Sequence, residues 1–438
     1  MAMSLLALLG APQSALAAGV DAASEPTGDA MALLLALVAL VGVAHLTAHW
    51  ASSWLQRRYL VLTGVEYVLL GLLLGPSVLP TVHIVDDLTR IAPIVAFAAG
   101  WHGLIAGAEL DLRTWTESDP RSTRLALVAS ALAGATVALP LWWFFRSGWL
   151  LPPCTPDDAL LGAGFLGAAA AAGSPAAVEL IGVRYPDART ALTSILERAA
   201  RQSDILAIAV FGLLYCVVHV GETNLVTTPG TSDWVLLSVG SGLALGVLFA
   251  LFVGDEDDEN TRFLALFGII VFASGAAYFV QLSALLINLL LGFVLANTRR
   301  GAGLFDALRT TARPVRLILL TFAGALWQPI DPLAGVVVVG GALALRLVGL
   351  ALGGWLASQG TGLRGDLFRG MVPQGEVAIA IALSFRLVYD GPAVDLAYTA
   401  IVVSVVVNEL IGPWVLRGLL ADARELDDER VAVASGGS

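Results

Sequence analysis

Two stretches decide the fold: Ala168-Ala169-Ala170-Ala171-Ala172-Gly173-Ser174-Pro175-Ala176-Ala177-Val178 and Gly370-Met371-Val372-Pro373-Gln374-Gly375-Glu376-Val377. Each puts helix breakers in the middle of an apolar run long enough to cross a bilayer. Proline removes an amide donor, and glycine lets the chain leave helical dihedrals at little steric cost. One such break is an ordinary kink. Two of them, at Pro175 and at Pro373 with Gly375, lie in oppositely directed spans that are each followed by one long span. That is the pattern of an inverted repeat whose two discontinuous helices cross near mid-membrane.

The rest of the chain supports this reading. Of its 438 residues 57% are hydrophobic and 13% charged, about half the charge of an average soluble protein. Mean hydropathy is +0.82. No series of short alternating segments marks a barrel. The chain therefore reads as an all-α polytopic membrane protein with about 13 spans. They lie near 31–50, 59–79, 88–108, 124–146, 157–183, 190–219, 233–253, 262–280, 282–297, 314–329, 333–357, 367–389 and 393–418. Residues 1–25 read as a leader or disordered N-terminus, 26–420 as the transmembrane domain and 421–438 as an acidic tail. The segment 301–313, with Arg309 and Arg313 beside Leu304, Phe305 and Leu308, reads as a short amphipathic surface helix.

All 24 basic residues are arginine, so no mechanism that needs a lysine amine is open. With the first span running inward, eighteen arginines fall on inner loops and the tail, and two, Arg90 and Arg146, on outer ends. This bias predicts an outside N-terminus and a cytoplasmic C-terminus in the cell membrane. The acidic runs, Asp255 to Glu259 and Asp422 to Glu429, lack the glycine-punctuated spacing of a calcium loop. His45 and His49 are four apart but have no third ligand, so no metal site is expected. Cys154 and Cys216 form no redox motif. No phosphate loop, nucleophile elbow or basic nucleic-acid stripe is present, and neither an enzyme nor a cofactor is expected.

Function resides in the residues that are costly in lipid. The sixth span reads Ile195-Leu196-Glu197-Arg198-Ala199-Ala200-Arg201-Gln202-Ser203-Asp204. Asp204 lies about 20 Å along that helix, close to mid-membrane. Arg201 is four residues from Glu197 and three from Asp204, so a closed Glu–Arg–Asp network is the structural alternative to a transport role. Arg346 is buried in an apolar span with no local partner. Its candidate carboxylates are Glu197, Asp204 and Glu376, and as the partner of Glu197 it is favoured over Arg201.

Taken in order, these residues resemble the monovalent cation/proton antiporter superfamily, in its sodium/hydrogen exchanger family. Gly71-Leu72-Leu73-Leu74-Gly75-Pro76 is similar to its GLLLGP. Ala98-Ala99-Gly100 to Glu109-Leu110-Asp111 is similar to its third-span ending. Residues 172–178 fall on A-T-D-P-V-A-V, residues 195–204 on I-L-E-G-E-S-L-L-N-D, and Gly370 to Ala382 on the late G-E motif. Arg346 falls on a buried arginine of the electroneutral branch. Three positions depart: Ser174 replaces the motif aspartate, Ser203 the asparagine and Ala199 a glutamate.

The resemblance implies a homodimer in which a core containing the broken spans moves against a scaffold. It implies electroneutral exchange of Na⁺ or K⁺ for H⁺ at Asp204, with Ser203, Ser174 and the freed carbonyls near Gly173 as neutral oxygens. It leaves open a transport-inactive homologue acting as a sensor or scaffold, and a sodium-coupled carrier of an organic solute. Orientation is directly testable. In a cysteine-replaced background, a cysteine near Ser435 is expected to meet an impermeant thiol reagent only after cells are opened. Labelling of intact cells would reverse the orientation.

Overall fold

The computed structural model describes residues 64–75, 88–116, 119–149, 154–186, 190–219, 229–253, 259–298 and 301–426. The leader, the first span with His45 and His49, His83, most of the first acidic run and the end of the tail lie outside these residues.

The described chain is helical throughout, without a strand. Its helices are α1 (Val65–Leu74), α2 (Leu88–Ala108), the short α3 (Leu112–Thr116), α4 (Pro120–Ser147), α5 (Pro156–Ala171), α6 (Pro175–Arg184) and α7 (Ala191–Val217). They continue with α8 (Thr231–Val253), α9 (Glu259–Phe279), α10 (Ala284–Ala296), α11 (Gly301–Ala325) and α12 (Pro332–Ser358). A 3₁₀ turn (Leu367–Met371), α13 (Glu376–Arg386) and α14 (Pro392–Asp422) complete the order. Six stretches among the described residues are long and apolar enough to cross a membrane, and one of them, Pro156–Arg184, contains the first break.

Local chemistry sets the helix starts. Proline opens α4, α5, α6, α12 and α14, where its missing amide costs nothing. Asp119, Thr155 and Asp331 cap three of these with side-chain oxygens on free amides. Thr190 and Thr193 form a reciprocal box at the start of α7.

Packing relies on small residues, as expected where lipid removes the hydrophobic drive between helices. Large apolar side chains such as Leu139, Trp143, Leu236, Leu251, Phe279 and Val336 face outward. Glycine lets backbones touch inside. A Cβ on Gly107 of α2 would stand 2.0 Å from the Leu289 carbonyl of α10, and one on Gly353 of α12 would stand 2.5 Å from Ala129 Cα of α4. The helices sort into two sets by their contacts: α4–α7 with α12–α14, and α1 and α2 with α8–α11. They meet mainly along α7 and α13.

One expectation is corrected. Residues 301–313 are not a separate surface helix but the first half of continuous α11, which carries Pro314 inside it. Leu308 is fully buried, so this half has its own packing partner and the helix runs on through the proline. Arg316, one of the eighteen arginines placed on inner loops and the tail, is thereby carried into the protein. Gly107→Val is expected to cost about 1–3 kcal/mol or more by overpacking. Gly268→Val, at a glycine with open space around it, is expected to be near neutral. Thermal unfolding in detergent compares the two.

Candidate functional site

The two breaks meet backbone to backbone. α5 stops at Ala171, Ala172 and Ser174 are extended, and α6 restarts at Pro175. In the second repeat the 3₁₀ turn ends at Met371, Gly375 is extended and α13 starts at Glu376. The Gly375 N–H donates to the Gly173 carbonyl at 2.7 Å. A Cβ on Gly375 would lie 3.1 Å from that oxygen and 3.3 Å from Ser174 Oγ, a fit that favours glycine here. Gln374, fully buried, spans the junction: its amide donates to the Ala169 carbonyl at 2.8 Å and accepts from Asn408 of α14 at 3.0 Å.

Asp204 reaches this crossing from α7. Its side chain is buried and its Oδ1 accepts the Gly173 N–H at 3.0 Å. No arginine pairs with it among the described residues. Arg201 turns away, to Glu197 (2.6 Å), to Glu109 after α2 (2.7 Å) and to Glu179 of α6 (2.8 Å). The closed Glu–Arg–Asp network is therefore not formed. Ser174 occupies the N-cap position of α6 without capping, and its buried hydroxyl has no hydrogen-bond partner. An N-cap serine left free in this way is available to a ligand. Ser203 is already engaged: it accepts from Ser130 of α4 at 2.7 Å and donates to the Ala199 carbonyl at 2.8 Å.

Arg346 corrects the favoured pairing. It bonds no carboxylate among the described residues. Nε donates to Ala170 O at 3.0 Å, Nη1 to Val372 O at 2.7 Å, and Nη2 to Ala172 O at 3.0 Å and Met371 O at 3.3 Å. These four oxygens are the carbonyls orphaned where the two half-helices end, the negative ends of their dipoles. A planar five-donor fork suits them better than any point charge. With Gly173 O also taken, most carbonyls expected to be free at the crossing are occupied by protein donors.

A second network was not foreseen. Arg316 of α11 donates to Glu409 of α14 at 2.7 Å and lies 3.7 Å from Glu376 of α13. Glu376, considered above as a partner of Arg346, belongs here. The signal was present in the sequence: Val405-Val406-Val407-Asn408-Glu409-Leu410 places a carboxylate inside an apolar span, as at Asp204. Outside the spans, the hydrogen-bonded Arg364 guanidinium holds the Asp366 carboxyl below its usual range.

Arg346→Ala would orphan four buried carbonyls and is expected to lower stability by about 3 kcal/mol or more, with Arg346→Lys recovering only part. Glu197→Gln is expected to cost under ~1 kcal/mol, since Glu197 is partly exposed and Arg201 keeps two other carboxylates. Thermal midpoints in detergent check this order.

Comparison with known proteins agrees with the geometry. Two solved structures of the sodium proton antiporter MjNhaP1 from Methanocaldococcus jannaschii share the fold. The first, at pH 8, superposes with a TM-score of 0.59 at 17% identity, covering 89% of this chain and 98% of that one. The second, an electron-microscopy structure, gives 0.58 at 15% identity, covering 90% and 97%. No curated protein matches in sequence. The family model for the transmembrane part of the sodium/hydrogen exchanger matches residues 42–418. With most of its length matched in this way, the chain belongs to the sodium/hydrogen exchanger family, a family of multi-pass membrane transporters.

Proposed function

We propose that the chain exchanges a monovalent cation, Na⁺ or K⁺, for a proton, one for one, at Asp204. The observation that carries this reading is a buried carboxylate with no ion-pair partner among the described residues, tied by one hydrogen bond to the amide of a broken helix. Such a group is costly as a bare anion. A proton or a metal cation removes that cost equally well, so the two ligands compete for one place. Coupling follows when only the loaded forms of the carboxylate move between the two sides.

The neutral oxygen for the cation is the free Ser174 hydroxyl, with water completing the shell. Gly173 acts through its amide, which orients the carboxylate. Ser203 holds α7 against α4 through Ser130. Arg346 replaces a cation at the helix ends permanently and positions both breaks. The set containing α5, α6, α13 and α14 moves against the set containing α2 and α10. The working form is a homodimer in the cell membrane, with residues 26–420 as the transport domain, the N-terminus outside, and the acidic 421–438 tail in the cytoplasm.

A second reading keeps the fold and loses transport. It is favoured by Ser174 standing where the family motif has aspartate, and by the carbonyls Arg346 already occupies. Proteoliposomes decide between them. Asp204→Asn is expected to fold and to abolish cation-driven collapse of a pH gradient. In the parent, protons are expected to raise the apparent KM for the cation competitively, and an imposed membrane potential to leave the rate unchanged. Exchange by Asp204→Asn at the parent rate would overturn the site. A parent that moves no protons with Na⁺, Li⁺ or K⁺ would favour the inactive reading.

A further inference from the structure

The charges around Arg316 do not balance. Glu409 of α14 is 1% exposed and takes the Arg316 hydrogen bond at 2.7 Å. Glu376, the first residue of α13, faces the same guanidinium at 3.7 Å. Glu66 of α1 accepts the Gly64 amide at 3.1 Å. Gly64 itself abuts this ion pair, its Cβ position being 3.8 Å from both Arg316 Nη2 and Glu409 Oε2. His102 of α2 lies within electrostatic reach of Glu376 and Arg316, and its Nδ1 donates to the Ala98 carbonyl at 2.9 Å. Three carboxylates from three helices therefore surround one guanidinium, with one imidazole within reach of Glu376.

The hydrogen bonds are incomplete in the same place. Glu376 Oε2, Glu66 Oε1 and Arg316 Nε are closed to solvent, and none has a hydrogen-bond partner. One guanidinium hydrogen-bonds Glu409 and holds Glu376 only as a long ion pair at 3.7 Å, so that Glu376 Oε2 is left without a hydrogen bond. Carboxylates crowded around one guanidinium, with single oxygens closed to solvent and without donors, are expensive. A proton removes one negative charge and supplies an O–H donor to a carboxylate oxygen, while the Arg316 Nε donor stays as it is.

We propose that Glu376 and Glu409 form a second proton-binding site that holds a proton at neutral pH, distinct from Asp204 although Glu376 lies within electrostatic reach of it. The proton adds to one carboxylate oxygen and is shared between Glu376 and Glu409 as a unit. The site stands at a sensitive place. It joins α11 of one helix set to α13 and α14 of the other. Glu376 also directly follows Gly375, whose amide closes the crossing. Loss of the proton adds a negative charge between the two sets and tightens their hold on Arg316.

The test does not depend on transport at Asp204. Infrared difference spectra are recorded on the Asp204→Asn protein, grown with ¹³C-labelled glutamate and titrated from pH ~6 to ~9, a range spanning shifted carboxylate values. The expected result is a neutral carboxylic C=O band that moves with the label and with deuteration, and that is lost or reduced in the added Glu376→Gln variant. Glu409→Gln serves as the second variant. In the active parent background, Glu376→Gln is expected to shift the pH profile of exchange, with Glu376→Asp restoring it in part. Absence of any label-sensitive carboxylic band overturns the proposal. So does a band that both glutamine variants leave unchanged. Failure of the Asp204 reading would show as exchange by Asp204→Asn and would leave the band intact.

Discussion

The architecture rests on four backbone oxygens and the one guanidinium that takes them. In hydrocarbon, every carbonyl must find a donor within the protein. A helix that stops and restarts in mid-membrane breaks that rule twice over, once at each repeat. Arg346 repairs both breaks together by donating to Ala170 and Ala172 on one side and to Met371 and Val372 on the other. The Gly375 to Gly173 bond then fixes the distance between the two chains. Only because these debts are settled can the Gly173 amide be spent on Asp204. The site's carboxylate is held by a backbone that Arg346 holds in turn.

This arrangement also explains why the lost motif residues do not dismantle the fold. Where the family motif has an aspartate, Ser174 leaves a small uncharged hydroxyl. Where it has an asparagine, Ser203 bonds to Ser130 across to α4. Where it has a glutamate, Ala199 is fully buried and apolar, and Arg346 meets only carbonyls among the described residues. Each change removes charge or hydrogen-bonding capacity from the crossing. The remaining donors and acceptors still close on one another, leaving Asp204 and Ser174 with capacity to spare.

How much of this was legible follows from the range of each interaction. The all-helical, membrane-crossing character was legible because hydropathy is local, with six spanning stretches among the described residues, and the breaks because proline and glycine act on their own backbone. Asp204 was legible because a carboxylate in an apolar helix stands out without knowledge of its neighbours. The partners were not. Arg346 and its carbonyl acceptors are up to 176 residues apart, and helix spacing says nothing across such a gap. The Arg201–Glu197 pair, by contrast, is a local i, i+4 contact, and it formed although a distant partner was preferred for Glu197. Arg316 was misplaced because it was assigned to the edge of an apolar run. The helix in fact begins fifteen residues earlier, at Gly301.

The complete absence of lysine has a consequence for how this molecule handles charge. Guanidinium groups keep their proton at any pH a folded protein meets. Every basic side chain except the five histidines is therefore a fixed point of positive charge, at Arg346 and Arg316 as much as at the surface. Around neutrality, proton traffic is confined to carboxylates and imidazoles. Such a chain changes its net charge almost wholly by neutralising acids, against a positive framework that stays still.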